Sequence, residues 1–268
     1  MRRKIAVLLA VYIIISVFSF PVNAAAAAED HPHYLEENAS RYEAYRAKNP
    51  GLPADIAIAY VNANVDKGFY NEIVTVADPK SVSVLVSKNF ALPADYVPQD
   101  LVTVSGNYRL RAAAAEQFTA MKKDMNSKGY KIYVMSAYRT YQTQATKHNT
   151  AVKRYGLASA DSQYARAGHS EHQTGLAVDI LQKTGVRYMT QAKFQNSKEY
   201  AWLTENAHKY GFILRYPKDY TDIHGFIYEP WHWRFVGVDV ATTMYNDGIV
   251  MLEEYYGRYL VPGDLPAA

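Results

Sequence analysis

The stretch Gly168-His169-Ser170-Glu171-His172-Gln173-Thr174-Gly175-Leu176-Ala177-Val178-Asp179 holds the residue types from which a metal centre is made. A histidine leaves a polar loop, a glycine permits a sharp approach, and an aspartate sits inside an apolar strand, where a bare charge is costly unless paired or bound to a cation. Zinc takes both neutral imidazole and carboxylate, at about 2.0–2.2 Å. The alternative for the same residues is an aspartate that accepts backbone hydrogen bonds at a strand end, beside an incidental loop histidine. A second stretch, Tyr228-Glu229-Pro230-Trp231-His232-Trp233-Arg234-Phe235, sets an acid and a histidine three apart among tryptophans that would make a dry wall. A catalytic zinc site needs three protein ligands, one open position for water and a carboxylate to take that water's proton. His232 and Glu229 fit those vacancies. On a regular strand, residues three apart face opposite ways, so Pro230 must make the strand irregular for the two to converge. The competing reading is a tryptophan-rich core strand with an edge histidine. In a third stretch, Ser136-Ala137-Tyr138-Arg139-Thr140-Tyr141-Gln142-Thr143-Gln144, Arg139 stands at a strand-to-helix junction. There a planar guanidinium can clamp a substrate carboxylate or serve as a surface ion-pair partner.

The elements that must position these residues follow from periodicity. Arg111 to Lys128 reads as a helix, because Ala115, Phe118, Met121 and Met125 recur at three and four residues and Gly129 stops the run. Tyr130–Ser136 reads as a strand and Thr140–Tyr155 as a helix ended by Gly156. A loop runs from Leu157 to Thr174, then come a buried strand over Leu176–Ile180, a helix over Lys198–Tyr210, and strands at Phe212–Arg215 and Trp231–Val236. Upstream, Tyr42, Tyr45 and Arg46 mark a short helix stopped by Asn49-Pro50-Gly51. Ile56–Val61 and Ser81–Val86 run as strands on either side of a turn at Asp66-Lys67-Gly68, and Leu92–Pro98 is too proline-broken to be anything but a loop. Helices and strands mix without strict alternation, which predicts an α+β fold.

The chain opens with Met-Arg-Arg-Lys, an apolar run from Ile5 to Phe20, and Val22-Asn23-Ala24-Ala25-Ala26, the pattern of an export signal with cleavage after Ala24 or Ala26. The run is shorter than the roughly 20 residues that span a bilayer, so no stable membrane insertion is expected after cleavage. With no cysteine in the 268 residues, neither a lipid anchor nor a disulfide is available. Losing Arg2, Arg3 and Lys4 brings the 29 basic residues level with the 26 acidic ones, so nothing in the charge points to nucleic acid. The expected organisation is a signal peptide over 1–24, an extension over 25–80 and a catalytic domain over 81–268.

Together the three stretches resemble the VanY-type D-alanyl-D-alanine and L,D-carboxypeptidases, members of the zinc peptidase group that includes lysostaphin-like enzymes and the hedgehog domain. The Ser-x-His-x-x-Gly-x-Ala-x-Asp pattern is met by Ser170, His172, Gly175, Ala177 and Asp179, and Glu-x-x-His by Glu229 and His232. Ser136, Tyr138, Arg139, Thr140 and Tyr141 meet a further Ser-x-Tyr-Arg-Thr/Ser-Tyr pattern. The likeness spans about Val84 to Gly237. It implies a central, mainly antiparallel sheet flanked by helices, zinc on His172, Asp179 and His232, and Glu229 as catalytic base. Arg139, Gln144, Ser136 and Ser170 would then meet the substrate, with Arg139 also catalytic. The implied activity is removal of the C-terminal D-alanine from peptidoglycan stem peptides at the bacterial cell wall. The alternatives are a D,D-dipeptidase or cross-bridge endopeptidase and, in another class, a non-catalytic wall-binding domain with a structural zinc. His224, before Gly225, stands where the family pattern carries threonine. His169 is expected to be exposed, or near the metal without binding it.

Overall fold

The computed structural model describes residues 31–184, 187–188 and 190–260, so the expected leader lies outside the described residues. Helices α1 (Ala39–Lys48) and α2 (Ala54–Asn62) come first. They are followed by a short hairpin of Leu101–Ser105 with Tyr108–Arg111, then helix α3 (Ala112–Ser127), strand β1 (Tyr133–Ser136) and helix α4 (Tyr141–Tyr155). Next come α5 (Leu157–Asp161), β2 (Ala177–Leu181), α6 (Lys198–Asn206), β3 (Phe212–Leu214), β4 (His232–Phe235), α7 (Val238–Asn246) and α8 (Leu252–Tyr259). The sheet runs β1-β2-β4-β3 with every neighbouring pair antiparallel. This is the expected α+β arrangement of an antiparallel sheet with flanking helices.

The sheet separates a dry side from a chemical side. Strand residues alternate faces, and Val178, Ile180, Trp233, Phe235 and Phe212 turn one way into a core closed by Phe118, Met121 and Met125 of α3 and Leu203 of α6. Their neighbours Asp179, His232 and Arg234 turn the other way. α3 is helical for the expected reason, an apolar stripe every three or four residues. α4 begins where the Thr140 hydroxyl accepts the Thr143 N–H at 3.1 Å, an N-cap that fixes the strand-to-helix junction next to Arg139.

Several expectations are corrected. Ile56–Val61 is the body of helix α2, not a strand; Ile58, Ala59, Tyr60 and Val61 are all buried, so the apolar run lacks the polar face that would have given a helical period. Ser81–Val86 is buried but irregular. Its carbonyls at Val82 and Val84 accept from the Arg234 guanidinium at 3.0 and 2.8 Å instead of from a strand partner. The span Leu157–Thr174 is not loop throughout, since it contains α5 and a 3-10 turn over Glu171–Thr174. The Lys198–Tyr210 helix tightens to 3-10 geometry from Ala207.

The segment before residue 80 is packed into the body that carries the sheet. α2 lies against α8, the last helix among the described residues, so closely that a Cβ on Gly257 would run into the Ala59 carbonyl. Asn62 donates to the Gly257 carbonyl at 3.3 Å. Among the described residues no helix is long and apolar enough to cross a membrane.

Candidate metal centre and active site

β2 and β4 create the centre. Asp179 and His232 are direct cross-strand partners, which sets their Cβ atoms about 4.5–5.5 Å apart on one face. His172 comes from the 3-10 turn before β2. Gly175 ends that turn at φ +69°, and a Cβ there would lie 2.9 Å from Leu101 and 3.0 Å from Arg111, so backbone freedom and close approach both require glycine. One ligand atom from each of His172, Asp179 and His232 falls within 4.8 Å of the others, and all three residues are buried.

The protons on the two rings decide what this point can hold. His172 Nδ1 lies 2.6 Å from the Ala137 carbonyl, which can only accept, so the proton sits on Nδ1 and the Nε2 lone pair faces Asp179 Oδ2 at 3.2 Å. His232 Nε2 donates to Glu171 Oε2 at 3.0 Å, which turns its Nδ1 toward Asp179 Oδ1, also at 3.0 Å. Two imidazole lone pairs and a carboxylate thus converge, an arrangement that repels itself unless a cation occupies the point. The donor set fits zinc. A proton competes for the same place: burial works against an imidazolium at His232, yet Asp179 and Glu171 pull it up to about 9. Burial and Arg139 push His172 down to about 4, keeping it neutral. Burial works against the Asp179 charge, but His172 and His232 hold its carboxyl well below the usual range.

Glu229 sits beside this point. His232 N–H donates to the Glu229 carbonyl at 3.0 Å, so the two residues flank a turn and β4 begins only at His232. That irregularity at Pro230 brings Glu229 Oε2 to 3.9 Å from His232 Nδ1. Burial and the Asp179 charge push Glu229 up to about 8, with His232 opposing. Arg139 donates its backbone N–H to the His172 carbonyl at 3.1 Å, and its buried Nε has no partner. These groups line one cavity of about 210 Å³ with Gln144, Ser170, Tyr216 and Trp231. Ser136 pairs in register with Asp179 but is not among the cavity walls. His169 is buried, not exposed, and its Nδ1 meets the Ser87 carbonyl at 2.9 Å. His224 is spent on the Pro217 carbonyl and the Phe226 N–H, away from the three ligand atoms.

Sequence reasoning missed Glu171. It is almost wholly buried, and its Oε1 accepts from Arg215 Nε and Arg234 Nη1, both at 2.8 Å, while Oε2 holds His232. Burial opposes its charge, but Arg234 and Arg215 hold its carboxyl well below the usual range. Arg215 is completed by two bonds to Glu253 of α8, at 3.0 and 2.6 Å. Two arginines and two glutamates therefore balance one another behind His232. The signal was present: Arg215 and Arg234 follow or interrupt apolar strands, where a guanidinium must find carboxylates. Lys147 and Tyr164, which carry no motif, also line the cavity.

The family model for VanY, the D-alanyl-D-alanine carboxypeptidase, matches residues 107–238. YodJ of Bacillus subtilis, assigned as a carboxypeptidase, is 34% identical over 210 residues, which cover 73% of this chain and 76% of that one. A solved structure of the LD-carboxypeptidase LdcB, described as revealing the molecular basis of peptidoglycan recognition, superposes with a TM-score of 0.65 and 34% identity over 70% of this chain and 91% of that one. A mutant of the vancomycin-resistance D,D-pentapeptidase VanY in complex with Zn(II) superposes with a TM-score of 0.57 and 34% identity, covering 66% and 99%. Glu253 and α8 lie beyond the segment that the family model matches.

Proposed function

This chain belongs to the VanY family of D-alanyl-D-alanine carboxypeptidases and is a zinc-dependent hydrolase of that type, and from that premise we propose which residues do the work. His172 through Nε2, Asp179 and His232 through Nδ1 hold the zinc, and Glu229 is the general base. The observation that carries this is the convergence of the three ligand atoms, each imidazole's proton being committed to the opposite side of its ring, with Glu229 next to them.

Zinc bound there would lower the pKa of a water toward about 7 and polarise a carbonyl. Glu229 accepts the proton of the attacking water at Oε2 and returns it to the leaving amine, which is hydrolysis of a terminal peptide bond. Arg139, buried with an unpaired Nε among carboxylates, is placed to meet negative charge on the substrate. Trp231 and Tyr216 form the apolar side of the cavity and thin the water around the reacting groups. The substrate class is the peptidoglycan stem peptide ending in D-alanine. The protein would then act outside the cytoplasm, at the wall, as its leader pattern implies.

The test compares a pentapeptide ending in D-Ala-D-Ala, a tetrapeptide ending in one D-Ala and the free dipeptide, each with and without a chelator. Loss of terminal D-alanine from either longer peptide, abolished by chelation and restored by zinc, is the expected result. Hydrolysis of the free dipeptide alone would make the enzyme a dipeptidase, and turnover that survives removal of all zinc would end the proposal.

A further inference from the structure

Helix α4 presents two groups to the catalytic cavity that the zinc chemistry leaves unused. Gln144 is 2% exposed, and its Nε2 donates to the Ala165 carbonyl at 2.6 Å. A carbonyl only accepts, so that bond fixes the amide's orientation and leaves Oε1 on the other side. There Oε1 is buried with no partner, and a buried acceptor is costly to leave unmade. An amide oxygen takes an N–H; it cannot take a carboxylate, which has only acceptors at neutral pH. Three residues on, at the spacing that makes helix neighbours, Lys147 lines the same cavity. Its ammonium has no hydrogen bond or ion pair among the described residues. It lies within electrostatic reach of the centre, repelled by Arg139 and attracted by Asp179.

Resting on the carboxypeptidase reading above, we infer that α4 reads the leaving residue: Gln144 Oε1 accepts the N–H of the scissile amide and Lys147 binds the free carboxylate. Arg139, deeper and nearer Asp179 and Glu229, is then left for the scissile carbonyl oxygen. In a terminal residue the N–H and the carboxylate are one Cα apart, roughly 2.5 Å from nitrogen to carboxyl carbon, so a single residue bridges neighbouring side chains of one helical turn. A chain that continued past this residue would set a neutral peptide group against Lys147. The lysine is thus the specificity-determining residue that favours chain ends over internal bonds.

The experiment measures kcat and KM for a stem peptide with a free C-terminal D-alanine and for its C-terminal amide, in wild type, Lys147→Gln, Lys147→Arg and Arg139→Lys, with zinc content checked by chelator titration. Lys147→Gln should raise KM for the acid about 10- to 100-fold, the worth of a hydrogen bond to a charged group. In that variant kcat should stay within about twofold, amide turnover should not change, and Lys147→Arg should restore most of the preference. An acid-over-amide preference that survives in Lys147→Gln, or that is lost in Arg139→Lys instead, overturns the assignment. For Gln144, the matching ester, which has no N–H to donate, should be spared by Gln144→Leu while the peptide loses turnover; equal losses on both overturn that half. A wild type that cleaves neither peptide removes the carboxypeptidase reading as well, whereas an active wild type with the preference intact in Lys147→Gln removes this inference alone.

Discussion

Replacing Glu171 by glutamine should loosen zinc and the fold by two separable routes. The substitution keeps the shape and removes the charge. In wild type both carboxylate oxygens face donors only: Arg215 Nε and Arg234 Nη1 on one, His232 Nε2 on the other. Glutamine supplies one acceptor and one NH2, so either an arginine or the imidazole meets a donor head-on. Breaking a buried ion pair by removing one partner costs about 3–5 kcal/mol. In a domain of this size each kcal/mol is worth roughly 2–4 °C in Tm, so a fall of about 6–12 °C is expected at the lower cost. If the NH2 faces His232, the ring must move its proton to Nδ1, the atom that is to bind the metal, and loss of such a support typically weakens metal binding 10- to 100-fold. Glu253→Gln is the control: it disturbs Arg215 but leaves the Glu171–His232 bond, so it should lower Tm while zinc affinity stays within about threefold. Competition against a chelator and thermal melts with and without zinc read both quantities. Glu171→Gln with zinc affinity within threefold of wild type would refute the positioning argument, whatever its Tm.

Glu229→Gln should keep zinc, because none of the three converging ligand atoms is touched, yet lose about 10²- to 10⁴-fold in kcat; turnover within tenfold of wild type would remove it as the base. Gly257→Ala should destabilise the protein by at least about 2 kcal/mol, since the added methyl meets the Ala59 backbone and overpacking at a close helix contact is costly; an unchanged denaturation midpoint would contradict the packing of α2 on α8. Asp161 sets an acid limit. Burial raises its carboxyl, but hydrogen bonds from Arg166 and His148 outweigh burial and hold it below the usual value. A carboxyl depressed in the folded state stabilises above its unfolded pKa of about 3.9 and loses that stabilisation as pH falls through the lower folded value. Below about pH 4 the wild type should therefore lose stability more steeply than Asp161→Asn, and parallel Tm curves between pH 2.5 and 6 would sink the claim.

The chemistry was more legible in the sequence than the architecture was. Asp179 inside Leu176-Ala177-Val178-Asp179-Ile180 announces a buried charge that needs partners, and β2 does bury it opposite His232. The opposite-face obstacle at Glu229 and His232 is also readable from their spacing, and a turn at Pro230 resolves it. Ile56–Val61 failed because a helix buried on all sides by α1 and α8 has no polar face to set a period. Ser81–Val86 failed because what satisfies its carbonyls is an arginine some 150 residues away, which no local pattern encodes. Glu171 was in plain view inside the motif. Its role depends on Arg215, Arg234 and Glu253, three residues from separate parts of the chain, and only folding brings them together.

The two bonds from Arg215 to Glu253 tie the interior behind His232 to α8. Every group proposed to hold zinc precedes Glu253 in the chain by some twenty residues or more, and without that helix the pair of guanidiniums behind His232 has a single counter-charge. A chain that lacked α8 would therefore carry an uncompensated cation at the place where its interior must close. With α8 seated against α2 the interior is neutral, so a chain ended before Glu253 should unfold more readily than the whole one.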